Sequence, residues 1–232
     1  RENNTMAPMV IFGNPNLKGK KFDLKVSSAQ VKSSILLAAL NAKGPTEIVQ
    51  PEVSRDHTER MLEYFGAEIS YNGKSVRLKP GKKLTAKKIY VPGDISSAAF
   101  FIVAALIVKN SHVIIKDVGI NPTRSCFLEL LKKMGGKIFV KNKRVFNNEP
   151  VADIEVYHSR LSPVKISKKK IPCIIDEIPV LCAAAAAAEG ETVISGAGEL
   201  RFKESDRIQS IVSQFKKLNV EIDEKKDGMK IK

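Results

Sequence analysis

Tryptophan is absent from this 232-residue sequence, and all aromatic residues together make up only 6% of it. Proteins that bind single-stranded nucleic acid place aromatic side chains among their basic groups, because the bases stack on them. No apolar run approaches the roughly 18 residues that a membrane span requires. The first residues carry charge but not the apolar core of a signal peptide. These absences predict a soluble cytoplasmic protein with no membrane partner and no nucleic-acid partner.

Cysteine and histidine are also scarce, with three of each. Cys126, Cys173 and Cys182 are an odd number with no Cys-x-x-Cys spacing, which argues against a disulfide framework and against a zinc site. Cys182 lies inside an alanine-rich run that predicts a helix, so we expect a buried, inert thiol there. The three dispersed histidines form no metal-ligand motif.

Acidic residues are few relative to basic ones, since 25 Asp plus Glu against 39 Lys plus Arg give a net charge of +14. A positive field attracts nucleic acids, membrane surfaces and small polyanionic substrates alike. Most of the excess is lysine in short scattered runs, which is typical of a solvated surface. Arginine is more selective, because its planar fork matches carboxylates and phosphates. Because arginines are few, Arg55, Arg124 and Arg207 can each be weighed individually.

A pattern of helix, strand, helix, strand and strand occurs three times, at intervals of about 70–80 residues. The copies start near residues 28, 96 and 176. Segments 98–108 and 178–188 are apolar on all sides, which is typical of helices in the centre of a domain. The pattern predicts α/β units that each pack helices on a small sheet. Pro and Gly at residues 91–94 divide one repeat, residues 1–92, from a pair of repeats, residues 93–232.

The first long predicted helix starts within the segment Ser27-Ser28-Ala29-Gln30. Hydroxyls and free backbone N–H groups at a helix N-terminus form an anion site. Ordinary helix capping by Ser27 or Ser28 is the simpler interpretation. Gln30 is harder to explain by capping.

Two arginines lie at matching helix starts in the first and second repeats. Arg55 fits the helix start poorly, because a cation near a helix N-terminus is unfavourable unless an anion lies there too. That mismatch motivates assigning Arg55 to anion binding. For Arg124 we favour a side chain that faces solvent.

The third repeat contains two groups that suit proton transfer. Asp176 follows the apolar segment 171–175, so it suits a general base as well as a helix N-cap. Lys203 and Arg207 are spaced to lie one helical turn apart on one face, with Glu204 beside them. Such a group can bind phosphate and move a proton, or it can form an exposed ladder of ion pairs. The sequence leaves both open.

Five segments carry a family resemblance. They are Ser28-Ala29-Gln30-Val31-Lys32, Arg55-Asp56-His57-Thr58-Glu59, Asn121-Pro122-Thr123-Arg124, Asp176-Glu177-Ile178-Pro179 and Lys203-Glu204-Ser205-Asp206-Arg207. With them the sequence resembles the 5-enolpyruvylshikimate-3-phosphate (EPSP) synthase family, the 3-phosphoshikimate 1-carboxyvinyltransferases, along its whole length. The first three segments are similar to the motifs of the family's glyphosate-tolerant class.

The resemblance implies an α/β fold of repeated βαβαββ units of the enolpyruvyl transferase inside-out barrel type. It implies two domains that close on substrate, each incomplete here. The implied reaction transfers the carboxyvinyl (enolpyruvyl) group of phosphoenolpyruvate to the 5-hydroxyl of shikimate 3-phosphate and releases phosphate, in aromatic amino-acid (chorismate) biosynthesis. The resemblance implies no metal or organic cofactor. The resemblance also implies that glyphosate inhibits the enzyme and that the full-length protein is a monomer.

On the acceptor side, the resemblance implies that Ser28, Ala29, Gln30 and Arg55 bind shikimate 3-phosphate. Gln30 would also reach phosphoenolpyruvate. These assignments agree with the anion-binding interpretation of the two helix starts.

On the reacting side, the resemblance implies that Asp176 takes the proton of the 5-hydroxyl and that Lys203 touches this hydroxyl. Glu204 would exchange protons with the methylene carbon, and Arg207 would bind phosphoenolpyruvate. Addition and elimination through a tetrahedral intermediate need such a base, an acid and cations for two phosphates and two carboxylates.

Three segments of the family are missing from the sequence: a Gly-Asp-Lys-Ser loop, an Asn-Ala-Gly-Thr loop and a C-terminal segment with a further arginine. We therefore expect a central fragment that does not turn over alone. One alternative is the enolpyruvyl transferase that acts on UDP-N-acetylglucosamine, which usually carries a reactive loop cysteine. The other is a nucleic-acid-binding protein of the same fold, similar to RNA-phosphate cyclases.

Overall fold

The computed structural model describes residues 10–232 of the chain. The prediction that no signal peptide begins the chain falls outside these residues. Within them the fold is a mixture of helices and strands in three small sheets, which confirms the predicted α/β class. None of the described helices is long and apolar enough to cross a membrane.

The first repeat has the order strand, helix, strand, helix, strand, strand. Its elements are β1 (Lys21–Asp23), α1 (Ala29–Ala39), β2 (Thr46–Val49), α2 (His57–Tyr64), β3 (Glu68–Tyr71) and β4 (Ser75–Lys79). The sheet order is β1-β2-β4-β3, with β1 parallel to β2 and the other pairs antiparallel. Gly66 ends α2 at φ +91°, and Gly73 turns the β3–β4 hairpin at φ +77°, both as the sequence predicts.

The second repeat lacks a first strand of its own. Its elements are α3 (Ile95–Ile107), β5 (His112–Gly119), α4 (Cys126–Lys133), β6 (Lys137–Phe146) and β7 (Glu149–Tyr157). The antiparallel sheet has the order β5-β7-β6. A single parallel bridge between Gly93 and Val118 stands where the first strand of the other repeats lies.

The third repeat has the topology of the first. Its elements are β8 (Lys165–Ile166), α5 (Ile178–Ala186), β9 (Thr192–Ile194), α6 (Arg207–Lys217), β10 (Ile222–Lys225) and β11 (Gly228–Ile231). The order β8-β9-β11-β10, with β8 parallel to β9, repeats the arrangement of the first sheet strand for strand. Two short 3₁₀-helices, Lys168–Cys173 and Gly198–Phe202, precede α5 and α6.

Buried apolar side chains form two clusters. The smaller one lies between Leu36 and Leu78 in the first repeat, and the larger one extends from Ile95 to Ile231. In the larger cluster α3 packs against α5, and both helices bury several alanines, as their all-round apolar character predicts. The two clusters support the division near residue 92, which stays a prediction.

The cysteine prediction was wrong for two of the three residues. Cys126 at the start of α4 and Cys173 at the end of a 3₁₀-helix form a disulfide, with their Cα atoms 6.0 Å apart. The pair is invisible in the sequence because the 3₁₀-helix reaches α4 only in the folded chain. Cys182 is fully buried as predicted, and burial raises the pKa of its thiol to about 12.

Reduction of the disulfide is expected to lower the free energy of unfolding by about 4 kcal/mol, the loop-closure entropy of a bond between residues 47 apart. Urea denaturation of the oxidised chain and of the reduced, alkylated chain measures this difference. Under native conditions iodoacetamide should then label the two bridge thiols but not Cys182. Equal unfolding free energies, or no labelling after reduction, would contradict the disulfide.

Candidate active site

A cleft of about 260 Å³ lies between the first repeat and the third. Its walls contain the start of α1, the residues before α2, and the segments before α5 and α6. All the residues that the sequence assigns to a site line this cleft: Ser28, Ala29, Gln30, Arg55, Asp176, Lys203, Glu204 and Arg207. Residues far apart in the sequence therefore meet at one concave surface, while their roles stay predictions.

The start of α1 forms one wall. Ser28 is the N-cap, and its Oγ accepts a hydrogen bond from the Val31 backbone N–H at 3.3 Å, so the capping prediction is confirmed for Ser28. Ser27 instead binds the Glu52 backbone, to which its Oγ donates at 2.8 Å. Capping and anion binding are compatible here, because one hydroxyl satisfies only some of the free N–H groups.

Arg55 reaches across the cleft to Asp176. Its Nη1 lies 3.0 Å from Asp176 Oδ2, and Arg207 Nη1 lies 3.6 Å from the other carboxylate oxygen. The anion that the position of Arg55 requires is therefore present in the chain itself. One carboxylate, 33% exposed, is shared by two cations from opposite walls.

The prediction that Asp176 caps the following helix was wrong. Glu177 occupies the N-cap position of α5, with no side-chain cap hydrogen bond, and the Asp176 carboxylate is engaged by the two arginines. Glu177 is only 3% exposed and accepts a hydrogen bond from Ser96 Oγ. A buried carboxylate thus lies directly behind the exposed one.

Arg124 does not face solvent, which corrects the interpretation favoured for it. Its side chain is 17% exposed, and its Nη2 donates to Ser96 Oγ and lies 3.4 Å from Glu177 Oε1. Since a buried carboxylate needs a partner, Glu177 explains why a cation lies at this position. The two residues fix the turn that carries Asp176.

Lys203 and Arg207 do not share a helix face, so that part of the prediction was also wrong. Asp206 is the N-cap of α6, and its Oδ1 accepts from the Gln209 N–H at 3.0 Å, so the helix begins only at Arg207. Lys203 lies in extended backbone before it, with Nζ 3.3 Å from Glu199 Oε1. The loop nevertheless brings both cations into the cleft.

Glu204 stands at the open side of the cleft, 81% exposed and 2.5 Å from Arg207 Nη2. A hydrogen bond from its own backbone N–H, and then the Arg207 side chain, lower the pKa of Glu204. The Glu204 carboxylate, paired with Arg207, is therefore ionised at neutral pH.

A polar cluster joins the first and second repeats beside the cleft. Asn121 Nδ2 donates to Asp56 Oδ1 at 2.6 Å and to Glu149 Oε2 at 2.9 Å, and His57 Nδ1 lies 2.7 Å from Glu149 Oε1. Burial alone raises the pKa of Asp56, but hydrogen bonds from Arg60 and Asn121 outweigh it and hold the pKa below its ordinary 3.8. Two of the sequence motifs are thus in direct contact.

Some residues around the cleft were not identified from the sequence. Glu199 and Ser54 line it, and Glu177 supports it from behind. The four-residue spacing between Glu199 and Lys203 is the kind of signal that would have indicated the first of these. In residues 10–232 no three His, Cys, Asp or Glu side chains come together as a possible metal site.

Comparison with known proteins gives one family. The model of the family described as EPSP synthase (3-phosphoshikimate 1-carboxyvinyltransferase) matches residues 1–232. Proteins named 3-phosphoshikimate 1-carboxyvinyltransferase from Syntrophomonas wolfei and Petrotoga mobilis are 50% and 52% identical over 232 residues. These alignments cover 100% of this chain and 54% of each relative.

The fold agrees with a solved structure of EPSP synthase from Acinetobacter baumannii. The TM-score is 0.86 at 47% sequence identity, and the match covers 94% of this chain and 49% of that one. The chain therefore spans about half the length of the curated relatives and of the solved structure that it matches.

Asp56→Asn is expected to destabilise the chain by about 2 kcal/mol at neutral pH, because hydrogen bonds to an ionised carboxylate are lost. The folded pKa of Asp56 is lowered, so its contribution is complete above pH ~3.8 and disappears as the pH falls through the folded value. Urea denaturation from about pH 7 to about pH 3 measures the gap to the unchanged chain.

The exposed Asp223→Asn serves as the matched control, with no expected effect. A gap for Asp56→Asn that stays constant down to about pH 3 would contradict the assignment.

Proposed function

The chain belongs to the EPSP synthase family, and on that premise we propose that it forms the central part of a full-length enzyme. This enzyme transfers the carboxyvinyl group of phosphoenolpyruvate to the 5-hydroxyl of shikimate 3-phosphate and releases phosphate. The observation that carries the proposal is the convergence of the cleft residues on Asp176. Arg55 and Arg207 hold the Asp176 carboxylate there, and Lys203 and the N-terminus of α1 line the same cleft.

The cation count of the cleft suits these substrates. Together they bring two phosphates and two carboxylates, which need cations and free N–H donors at close range. In the proposal Ser28, Ala29 and Gln30 at the start of α1, together with Arg55, bind shikimate 3-phosphate. Arg207, on the opposite wall, binds phosphoenolpyruvate, and Gln30 reaches toward both.

The proton transfers are assigned to the carboxylates. As the 5-hydroxyl oxygen adds to the central carbon of phosphoenolpyruvate, Asp176 takes its proton, Lys203 donates a hydrogen bond to that oxygen, and the methylene carbon gains a proton. Loss of a proton from the resulting methyl group then expels phosphate from the tetrahedral intermediate. Glu204, exposed at the open side, takes up a proton from solvent as the anionic substrates bind, gives it to the methylene carbon and takes it back from the methyl group when phosphate leaves.

The proposal extends to the full-length protein, of which this chain is a part. Because it spans about half of their length, we propose that further anion-binding side chains of the site come from the rest of the full-length protein. That protein would be a cytoplasmic monomer without metal or organic cofactor, inhibited by glyphosate.

Phosphate release tests the substrates directly. The full-length protein should release phosphate from phosphoenolpyruvate with shikimate 3-phosphate as acceptor, whereas the 232-residue chain alone should not. Release with UDP-N-acetylglucosamine in place of shikimate 3-phosphate would contradict the proposed acceptor. Robust turnover by the isolated chain would contradict the proposal that the site is shared.

Asp176→Ala in the full-length protein is expected to lower kcat by about 10³-fold, because the alcohol loses its proton acceptor. The KM for shikimate 3-phosphate should change by less than about tenfold, since a base acts mainly in the transition state. Steady-state kinetics separates the two effects. Asp223→Ala is the control for loss of an aspartate outside the cleft, and an unchanged kcat for Asp176→Ala would remove Asp176 from its role.

A further inference from the structure

A buried ion pair joins α1 to α2 beneath the cleft. Lys32 Nζ lies 2.5 Å from Glu59 Oε1, and each side chain is only 1% exposed. Neither residue lines the cleft. Because removing two charges from water is costly, such a pair persists only where its geometry and its further hydrogen bonds are favourable.

The Lys32 ammonium has two more partners, both in the backbone before α2. Its Nζ donates to the carbonyl oxygen of Arg55 at 2.8 Å and lies 3.5 Å from that of Ser54. An ammonium has three donors, so the carboxylate of Glu59 and these two carbonyls account for all of them. The lysine thus holds the peptide groups of the residue that reaches Asp176.

The same lysine belongs to the first turns of α1. Its backbone N–H donates to the Ser28 carbonyl oxygen at 3.0 Å. One side chain therefore connects the helix start at Ser28 with the segment that carries Arg55. Both are walls of the cleft, and their distance from each other is set below the surface by this ammonium.

The pair is not arranged for greatest stability. Within the described residues, Glu59 Oε2 is the one buried side-chain oxygen or nitrogen without a hydrogen-bond partner. Apolar side chains of similar volume often replace a buried ion pair without loss of stability. What an apolar pair could not do is bind the Arg55 carbonyl.

We propose that Lys32 and Glu59 are positioning residues: Lys32 fixes the Arg55 backbone so that the guanidinium faces the cleft, and Glu59 holds the lysine side chain in place. The assignment rests on the proposed function, because Arg55 matters only if the cleft binds an anionic substrate. Neither residue contacts the substrate.

The decisive variant is Lys32→Met with Glu59→Met in the full-length protein, measured by calorimetric binding of shikimate 3-phosphate. Each single change should lower the melting temperature by about 10 °C, since it leaves one charge buried and unpaired. The double change should restore the melting temperature to within about 4 °C. The dissociation constant should nevertheless rise about 10- to 100-fold, the effect of a misplaced binding group.

Combining the double variant with Arg55→Ala shows whether the weaker binding arises from a misplaced Arg55 side chain. Arg55→Ala should weaken binding about tenfold or more in the unchanged protein, but less than about threefold in the double variant, whose Arg55 is already misplaced. Ser33→Ala with Thr58→Val is the matched control. It removes the other side-chain hydrogen bond between α1 and α2, 2.6 Å long, without touching the Arg55 carbonyl, and should leave binding unchanged.

The outcomes distinguish this inference from the proposed function. If the unchanged protein does not bind shikimate 3-phosphate, the proposed function fails and this inference fails with it. If the unchanged protein binds and the folded double variant binds equally well, the pair is only structural and this inference alone is overturned. Lys32→Met with Glu59→Gln, equally uncharged, gives the same readout should the first double variant not fold.

Discussion

The ion pair between Arg55 and Asp176 is the interaction around which the rest of the site is arranged. Arg55 comes from the loop between β2 and α2, and Asp176 from the turn before α5, so the pair joins the first repeat to the third. Both side chains are about a third exposed, which limits such a pair to roughly 1 kcal/mol or less. A pair this weak can be exchanged for contacts with an anionic substrate at little cost.

Stronger, buried interactions hold the two partners in place from behind. On one side Lys32, paired with Glu59, binds the Arg55 carbonyl. On the other side Arg124, together with Ser96, holds Glu177 next to Asp176. The charges that set the geometry are therefore buried, whereas those that face the cleft remain free to change partners. This separation explains why several charged residues of the sequence motifs do not line the cleft.

The sequence predicts the repeat topology and the convergence of the motifs, and it fails where a tertiary contact decides. The sequence pattern places Lys203 inside the last helix of the third repeat, whereas α6 begins only at Arg207 because Asp206 is its N-cap. Arg124 was placed in solvent because its buried partner, Glu177, is far away in the sequence.

The basic residues behind the net charge of +14 are distributed unevenly in the folded chain. Only a few of the cations lie at the cleft, and most lysines are surface residues.

The central claim is that this cleft binds shikimate 3-phosphate with its reacting hydroxyl at Asp176. A crystal structure of the full-length protein soaked with shikimate 3-phosphate tests it most directly. The account predicts the 5-hydroxyl within about 3 Å of the Asp176 carboxylate and the substrate against the start of α1. Substrate bound elsewhere, with the cleft empty, would contradict it.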